Sequence, residues 1–259
     1  MNATVNHPRI PGRFHGMLQI LFYNWPFYVF SATACLGGAA VVLFVPMPTW
    51  LQVAGAFSIA LGAFWLGSSL AASHYVYDTS KLYRFEWIAD LFSPAPRRWA
   101  NIHAGLDETT LRLRKMFPGT ESRVLDIYDP ATMYEPSIAR AREWTPSQVA
   151  SERASTSALP FRDMELDAAF LIFAAHEIRN SGERSRFFRE LQRSITPGGK
   201  LLIVEHVRDF ANFAVFGPGF THFLPGSEWL RLLSESGFVV FKEFKITPFV
   251  KVWLTGRRS

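Results

Sequence analysis

The sequence has almost no cysteine and, over one long stretch, no formally charged residue. Its single cysteine, Cys35, cannot form an intrachain disulfide, so the cysteine content gives no indication of an oxidising compartment. No Asp, Glu, Lys or Arg occurs between Arg13 and Asp78. Charged residues normally mark the solvated faces of a soluble domain, so their absence here argues against a wholly soluble protein.

The uncharged stretch divides into two apolar runs at Pro46-Met47-Pro48. The runs, Phe27 to Val45 and Thr49 to Ala72, are each long enough to cross about 30 Å of hydrocarbon as a helix. The proline-containing turn between them predicts a helical membrane hairpin. A buried soluble hairpin, or one lying along the interface without spanning, is the alternative. The preceding segment, Gly16 to Pro26, is predicted to lie along the interface.

Basic residues stand before the first apolar run and after the second, whereas the turn that connects the two runs carries none. They are Arg9, Arg13, Lys81, Arg84, Arg97 and Arg98. This asymmetry predicts that both ends of the hairpin are cytoplasmic. The net charge of +5 suits the anionic face of a membrane, and no basic-aromatic pattern indicates nucleic-acid binding. No signal peptide is expected, since the N-terminus lacks a short apolar core followed by a small-residue cleavage site.

Three parts are predicted along the chain: residues 1–72 as the N-terminal segment and hairpin, 73–96 as an amphipathic connector helix, and 97–259 as a globular domain. In the last part strand-like and helical patterns alternate, which predicts an α/β fold with a doubly wound, mostly parallel sheet. Its final two runs, Phe238 to Phe244 and Phe249 to Leu254, predict an antiparallel edge. The earlier predicted strands are Trp99 to His103, Arg123 to Tyr128, Ala168 to Ala174 and Leu201 to Val204.

The stretch Ile195-Thr-Pro-Gly-Gly-Lys-Leu-Leu-Ile-Val-Glu205 joins a helix end to a buried strand that finishes in a carboxylate. It resembles the fifth-strand region of class I S-adenosylmethionine-dependent methyltransferases. Two upstream blocks follow that family's order: Leu125-Asp-Ile-Tyr-Asp129, and Ala158-Leu-Pro-Phe161 followed by Leu166-Asp167. The resemblance implies a class I methyltransferase fold and S-adenosylmethionine as the cofactor.

In that family the first strand ends in a loop with the pattern acidic-x-Gly-x-Gly-x-Gly. Asn101, His103, Gly105 and Asp107 stand at these positions here, so only the middle glycine is kept. The resemblance implies cofactor contacts from Asn101, His103 and Gly105, with the glycine allowing close approach of the backbone. This loop is the main departure from the family pattern.

The second strand of the family ends in an acidic residue that accepts both ribose hydroxyls of the cofactor. The resemblance implies this role for Asp129, which stands at the predicted end of the strand, and Asp126 is the close alternative. A turn or helix N-cap is the other interpretation of Asp129. Met133 and Leu159 are implied beside the adenine, although Met133 can equally be a core methionine. Tyr77 and Asp78, on the connector, are predicted to close over the cofactor.

Four histidines fall near the ends of predicted strands or on the following loops: His103, His176, His206 and His222. His176 is the preferred general base and His206 the second catalytic candidate, while structural hydrogen bonding is the alternative for each. A metal site built from His176, Glu205, His206 and His222 is conceivable. The spacing of these residues follows no metal-binding pattern, so no metal is predicted.

The segment Asp209 to Pro225 places five phenylalanines around Gly217-Pro-Gly219, as either an apolar lid or a core helix with a turn. The overall pattern is similar to quinone-biosynthesis and phospholipid head-group methyltransferases. The prediction is a membrane-anchored methyltransferase acting on a lipophilic acceptor, such as a lipid head group or quinone, at the cytoplasmic membrane surface. The alternative is a non-catalytic methyltransferase-like scaffold that binds a partner protein.

Overall fold

The structure is a computed structural model and describes residues 12–145 and 147–257. Arg9, one of the residues used to predict the orientation, lies outside the described residues. The described chain begins with three helices: α1 (His15–Tyr23), α2 (Trp25–Phe44) and α3 (Thr49–Ser73). Helices α2 and α3 are long and apolar enough to cross a membrane.

Helices α2 and α3 form a closely packed hairpin around Pro46-Met47-Pro48. No residue of α2 is buried, and Phe30 and Phe44 expose 76% and 82% of their surface, so α2 is not the core helix of a soluble domain. Small residues bring the two helices together: a Cβ on Gly55 would lie 2.7 Å from Val42. The hairpin is thus held by close backbone approach and leaves an apolar outer surface.

Helix α1 contacts both the connector and the globular domain. The Asp78 carboxylate accepts hydrogen bonds from the amides of Gly16 (2.6 Å) and Met17 (3.1 Å). At the other end of α1, the Tyr23 hydroxyl lies 2.6 Å from the Thr145 hydroxyl. The segment predicted to lie along the interface is therefore fixed at both ends by polar contacts with the rest of the chain.

The globular part is built on one sheet of seven strands in the order β3-β2-β1-β4-β5-β7-β6. Strands β1 to β5 are parallel, whereas β7 runs antiparallel to both β5 and β6. This topology confirms the predicted doubly wound, mostly parallel sheet with an antiparallel edge. The strands are β1 (Arg98–His103), β2 (Glu121–Asp126), β3 (Glu152–Arg153), β4 (Leu166–Ile172), β5 (Ile195–His206), β6 (Phe238–Thr247) and β7 (Val250–Arg257).

Strand β2 ends earlier than the predicted run Arg123 to Tyr128. Its last residue, Asp126, pairs with His103 at the end of β1. The chain then turns, because the Asp126 side chain accepts a hydrogen bond from the Tyr128 amide (3.0 Å). In β5 the Pro-Gly-Gly sequence forms a bulge, where Gly198 has a φ of +81° that favours glycine.

The predicted amphipathic connector helix over residues 73–96 is wrong as a single helix. Helix α3 continues into a π-helical turn at His74–Thr79, followed by a 3-10 turn at Leu82–Arg84 and the short helix α4 (Glu86–Ala89). Phe85 has a left-handed φ of 59°, which no continuous helix can accommodate. The remaining helices are α5 (Thr110–Met116), α6 (Pro136–Trp144), α7 (Ser181–Ser194), α8 (Phe210–Phe216) and α9 (Gly226–Glu235).

The connector contributes buried side chains to the hydrophobic core despite its irregular backbone. Its apolar side chains pack on one face of the sheet, where the rings of Phe92 and Phe170 lie 4.9 Å apart. Phe187 and Phe188 of α7 and Trp229 of α9 cover the opposite face. The connector residues in this core are Val76, Leu82, Phe85, Ile88, Leu91 and Phe92.

Candidate active site

The loop after β1 is ordered by Asn101 and Asp107, which stand at the expected acidic and last glycine positions. Asp107 accepts hydrogen bonds from the amides of Thr109 (3.1 Å) and Thr110 (3.0 Å), at the start of α5. The Asn101 amide nitrogen donates to the side chains of Asp107, Thr109 and Thr110 at 3.2, 2.9 and 2.7 Å. Asn101 therefore stabilises the loop. Its side-chain amide nitrogen donates to protein groups and is not available to a ligand.

Beside this loop, the buried carboxylate of Asp126 pairs with an arginine of α6. Asp126 accepts a hydrogen bond from Arg142 of α6 at 2.7 Å. The guanidinium also lies over the Tyr128 ring, 4.4 Å from its centroid. Gly105 has a φ of +96°, and a Cβ there would lie 3.0 Å from Arg142. Arg142 thus packs against Gly105, where a larger residue would have a side chain. It pairs there with Asp126.

His103 is buried at the base of the same site. Among the described residues, neither of its ring nitrogens has a hydrogen-bond partner, and its Nδ1 lies 3.8 Å from Asp126. Burial lowers the pKa of His103, although the Asp126 carboxylate acts in the opposite direction. Buried polar atoms are ordinarily hydrogen-bonded, so these two nitrogens mark a place where a polar ligand or water fits.

The second cluster lies beyond the carboxyl end of β4, around His176. The His176 Nδ1 lies 2.7 Å from the Glu205 carboxylate, which also accepts a hydrogen bond from the Ala175 amide at 3.0 Å. The His176 Nε2 lies 2.9 Å from Glu177. Burial alone would lower the pKa of His176, but the Glu205 and Glu177 carboxylates raise it to about 10. The imidazole is therefore protonated at neutral pH.

His222, in the 3-10 turn Gly217–His222, faces His176 across this cluster with ring centroids 5.5 Å apart. Arg179 connects the surrounding elements: it donates to the His222 carbonyl at 2.8 Å and to Glu135 at 3.3 Å. Glu177 is 6% exposed, and its Oε2 has no hydrogen-bond partner among the described residues. The cluster thus concentrates carboxylates and imidazoles at the edge of the sheet where α/β folds bind ligands.

His206, at the end of β5, lies between the rings of Phe173 and Phe223, with centroids 5.2 and 4.9 Å away. Its Nε2 is 3.1 Å from the Tyr77 hydroxyl and its Nδ1 is 3.1 Å from the Phe249 carbonyl. Burial lowers the pKa of His206 to about 4, so the neutral ring donates from Nδ1 and accepts from Tyr77. These contacts join the connector to β5 and disfavour the predicted catalytic role of His206.

Comparison with known proteins identifies the globular part. Residues 115–203 match the sequence model of a family described as "Methyltransferase domain". This part of the chain is therefore similar to a methyltransferase domain. A curated relative, a demethylmenaquinone methyltransferase of Thermus thermophilus, is 31% identical over 111 residues, which are 43% of this chain and 48% of the relative. The chain thus spans about half the length of the curated relative that it matches.

Two solved methyltransferase structures are similar to the globular part of the chain. A Burkholderia thailandensis 1,6-didemethyltoxoflavin-N1-methyltransferase, with bound 1,6-didemethyltoxoflavin and S-adenosylhomocysteine, is 14% identical with a TM-score of 0.50; the match covers 83% of this chain and 93% of that one. An Aquifex aeolicus methyltransferase described as SAM-dependent is 17% identical with a TM-score of 0.47, covering 61% and 81%. At 14% identity the similarity to the Burkholderia thailandensis enzyme shows the fold alone. The sequence match and this fold support the prediction of a class I, S-adenosylmethionine-dependent methyltransferase.

The structure changes the placement of several predicted cofactor residues in the methyltransferase domain. Asp129 does not end β2; it is exposed and accepts a hydrogen bond from the Ala131 amide (3.0 Å), as its alternative turn role predicted. Asp78 binds the amides of α1, and Tyr77 binds His206, so neither side chain is free to close over a cofactor. Asp126 and Gly105, by contrast, lie together beside Arg142.

Met133 and Leu159 are 1% and 5% exposed and belong to the core on one side of the sheet. This burial agrees with the core alternative for Met133. The sequence interpretation missed Arg142 and Arg179, because an arginine on a helix shows no periodic signal for the carboxylate it will reach. Two signals for the acidic side of the histidine cluster were available in the sequence: Glu205 ends the predicted fifth strand, and Glu177 follows His176 directly.

The aromatic segment after β5 folds as α8 and the 3-10 turn, and it contacts the base of the hairpin. The Phe213 ring lies 5.7 Å from the Trp65 ring of α3, and the Ser68 hydroxyl donates to the Val215 carbonyl at 2.8 Å. Gly217 has a φ of +54°, and a Cβ there would lie 2.5 Å from Trp65. The segment predicted as a lid therefore joins the methyltransferase domain to the apolar hairpin.

Proposed function

We propose that this protein is an S-adenosylmethionine-dependent methyltransferase that acts on a lipophilic acceptor at the cytoplasmic surface of a membrane. The observation that carries the proposal is the buried Asp126 at the end of β2, within a part of the chain similar to a methyltransferase domain. It lies beside Gly105 and His103, whose ring nitrogens have no hydrogen-bond partner in the part of the chain that the structure describes. This is the edge of the sheet at which doubly wound folds bind nucleotide-like ligands.

The residues present fit the cofactor. Asp126 would accept the ribose hydroxyls, and the absence of a Cβ at Gly105 would allow the cofactor to approach the backbone. His103 would satisfy its buried nitrogens on a polar group of the ligand. Because Arg142 now pairs with Asp126, the guanidinium would have to move aside or share the carboxylate. Asn101 and Asp107 would act indirectly, by keeping the loop in shape.

S-adenosylmethionine would supply an activated methyl group, so the protein has mainly to align the acceptor and exclude water. His176 carries a proton at neutral pH, which makes it a hydrogen-bond donor there instead of the predicted general base. Glu205 fixes its orientation through Nδ1 and through the backbone amide of Ala175. Its other nitrogen, Nε2, lies on Glu177, so we assign His176 an indirect role: it positions the acceptor by holding these two carboxylates in place at the end of β4.

The acceptor is proposed to be lipophilic because the aromatic segment beside the histidine cluster packs on the hairpin. Phe216 and Phe223 contact His206 on the side facing α8, and Phe210 exposes 82% of its surface. The Thermus thermophilus relative is named for demethylmenaquinone, which supports a quinone among the lipophilic acceptors. A phospholipid head group is the other acceptor of this kind.

Transfer of a labelled methyl group tests this proposal directly. Purified full-length protein in detergent is expected to move the label from S-adenosylmethionine to demethylmenaquinone or to an extracted lipid fraction, detected after organic extraction. His176→Ala should lower the transfer at least about 100-fold, because a misplaced acceptor loses alignment. Label that stays in the aqueous phase with every acceptor, despite cofactor binding, would contradict the lipophilic acceptor.

We also propose that the hairpin spans the membrane with both ends cytoplasmic, as the flanking basic residues predict. The single native cysteine makes the test simple. In a Cys35→Ala variant, Met47→Cys in the turn should react with an impermeant maleimide on intact spheroplasts, whereas Lys242→Cys on β6 should react only after lysis. The reverse labelling pattern, or labelling of both sites before lysis, would reject this topology.

A further inference from the structure

We propose that His176, Glu177 and His222 form a binding site for one divalent transition-metal ion, with Zn²⁺ as the best fit. One potential ligand atom from each residue lies within 4.8 Å of the others. Tetrahedral zinc with bonds of about 2.0 Å separates its ligands by about 3.3 Å, so closure requires movements of roughly 1 Å. The inference does not depend on the proposed methyl transfer.

An unsatisfied buried carboxylate supports the site independently of the spacing. Glu177 is 6% exposed, yet its Oε2 has no hydrogen-bond partner among the described residues. The other oxygen of this carboxylate, Oε1, lies 2.9 Å from His176 Nε2, and the Arg179 guanidinium is 3.9 Å from Oε2. Arg179 also lies 2.7 Å from the His222 ring nitrogens, so it would have to release His222 for a metal ion to bind. Burying an ionised oxygen without a direct partner is costly, and a cation between Glu177 and the two histidines would remove that cost.

The orientation of His176 matches that of a metal-ligating histidine. Its Nδ1 lies 2.7 Å from Glu205, which is 1% exposed and also accepts a hydrogen bond from the Ala175 amide. This leaves Nε2 as the atom directed at Glu177, 2.9 Å away. A carboxylate that holds the far nitrogen of a histidine is the usual outer support of a zinc ligand.

Formal charges around the cluster also match a divalent ion. Three carboxylates surround it, those of Glu135, Glu177 and Glu205, and among the described residues Arg179 is the one arginine or lysine paired with them. The balance is −2 with both histidines neutral, which a divalent cation cancels. Bound metal would take the place of the proton on His176 Nε2. Two imidazoles and one carboxylate suit zinc better than magnesium, which prefers oxygen ligands.

Metal binding by the full-length protein tests the inference. The protein is purified in detergent with an affinity tag that contains no histidine, stripped with a chelator, and titrated with ZnCl₂ by calorimetry. About one Zn²⁺ per chain is expected, while MgCl₂ gives no comparable heat. His222→Ala and Glu177→Gln should each weaken Zn²⁺ binding at least about 10-fold. Co²⁺ should give the strong visible absorption of a four-coordinate site.

His74→Gln is the matched histidine control, because His74 contacts Asp78 outside the cluster and should leave Zn²⁺ binding unchanged. S-adenosylmethionine binding, measured on the same samples, separates this inference from the proposed function. Wild-type protein that binds the cofactor but no Zn²⁺ overturns the metal site. Zn²⁺ binding that survives in both cluster variants, with their folding checked by circular dichroism, overturns it as well.

Discussion

Asp126→Asn is expected to weaken S-adenosylmethionine binding by at least about 100-fold. A carboxylate that accepts two ribose hydroxyls makes two charge-assisted hydrogen bonds, and losing about 3 kcal/mol of this interaction corresponds to about 100-fold in affinity. The measurement is calorimetry on the full-length protein in detergent. Asparagine keeps the side-chain oxygen that accepts from the Tyr128 amide, so the turn after β2 should survive.

Asp129→Asn provides the matched control for this variant. Asp129 is exposed and accepts one hydrogen bond, from the Ala131 amide, so its neutralisation should change cofactor affinity less than about threefold. If Asp129→Asn abolishes binding and Asp126→Asn does not, the assignment of the ribose carboxylate is wrong. If the well-folded wild type does not bind the cofactor, the scaffold alternative replaces the enzyme.

Removing the connector should prevent the globular domain from folding, whereas removing only α1 and the hairpin should not. A chain beginning at Arg97 lacks the side chains that cover one face of the sheet, among them Phe85, Ile88 and Phe92. At about 1.5–3 kcal/mol for each buried side chain, the loss is on the order of 10 kcal/mol. That equals the whole stability of a typical domain. A chain beginning at His74 keeps this cover and should be soluble without detergent.

Size-exclusion chromatography and thermal unfolding of the two shortened chains check this expectation. A point substitution gives a milder test in the full-length protein: Phe92→Ala should cost about 3–5 kcal/mol, since Phe92 packs on Phe170 in the core. Phe241→Ala is its control, because Phe241 is 57% exposed and should cost less than about 0.5 kcal/mol. A chain from Arg97 that unfolds as cooperatively as the one from His74 would refute the structural role of the connector.

The hairpin and the sheet could be predicted from sequence because both rest on local patterns. A long apolar run identifies a helix such as α2 without knowledge of its neighbours, and the Pro-Gly-Gly sequence before Lys200 fixes where β5 continues. The connector was harder, since its amphipathic pattern is compatible with a continuous helix. Its breaks follow from tertiary contacts, and the left-handed Phe85 is held in place by packing on the sheet.

The site was predicted less well because its residues meet across long sequence separations. Whether Asp126 or Asp129 ends β2 depends on the pairing with β1, which a single strand does not reveal. The burial of His206 depends on Tyr77, 129 residues away. Arg142 reaches Asp126 from a helix whose own sequence gives no reason for that contact. Local patterns located the edge of the sheet, and long-range packing decided which side chains face it.

The position of β7 determines when this protein can finish folding. Strand β7 leaves the ribosome after the other six strands of the sheet, yet it lies inside the sheet between β5 and β6. A nascent chain that stops before Val250 leaves the long strand β5 as an open edge, ready to pair with another chain. The hairpin emerges almost two hundred residues earlier, so the growing chain carries an incomplete sheet through most of its synthesis. Truncation at the C-terminus should therefore promote aggregation more than truncation at the N-terminus.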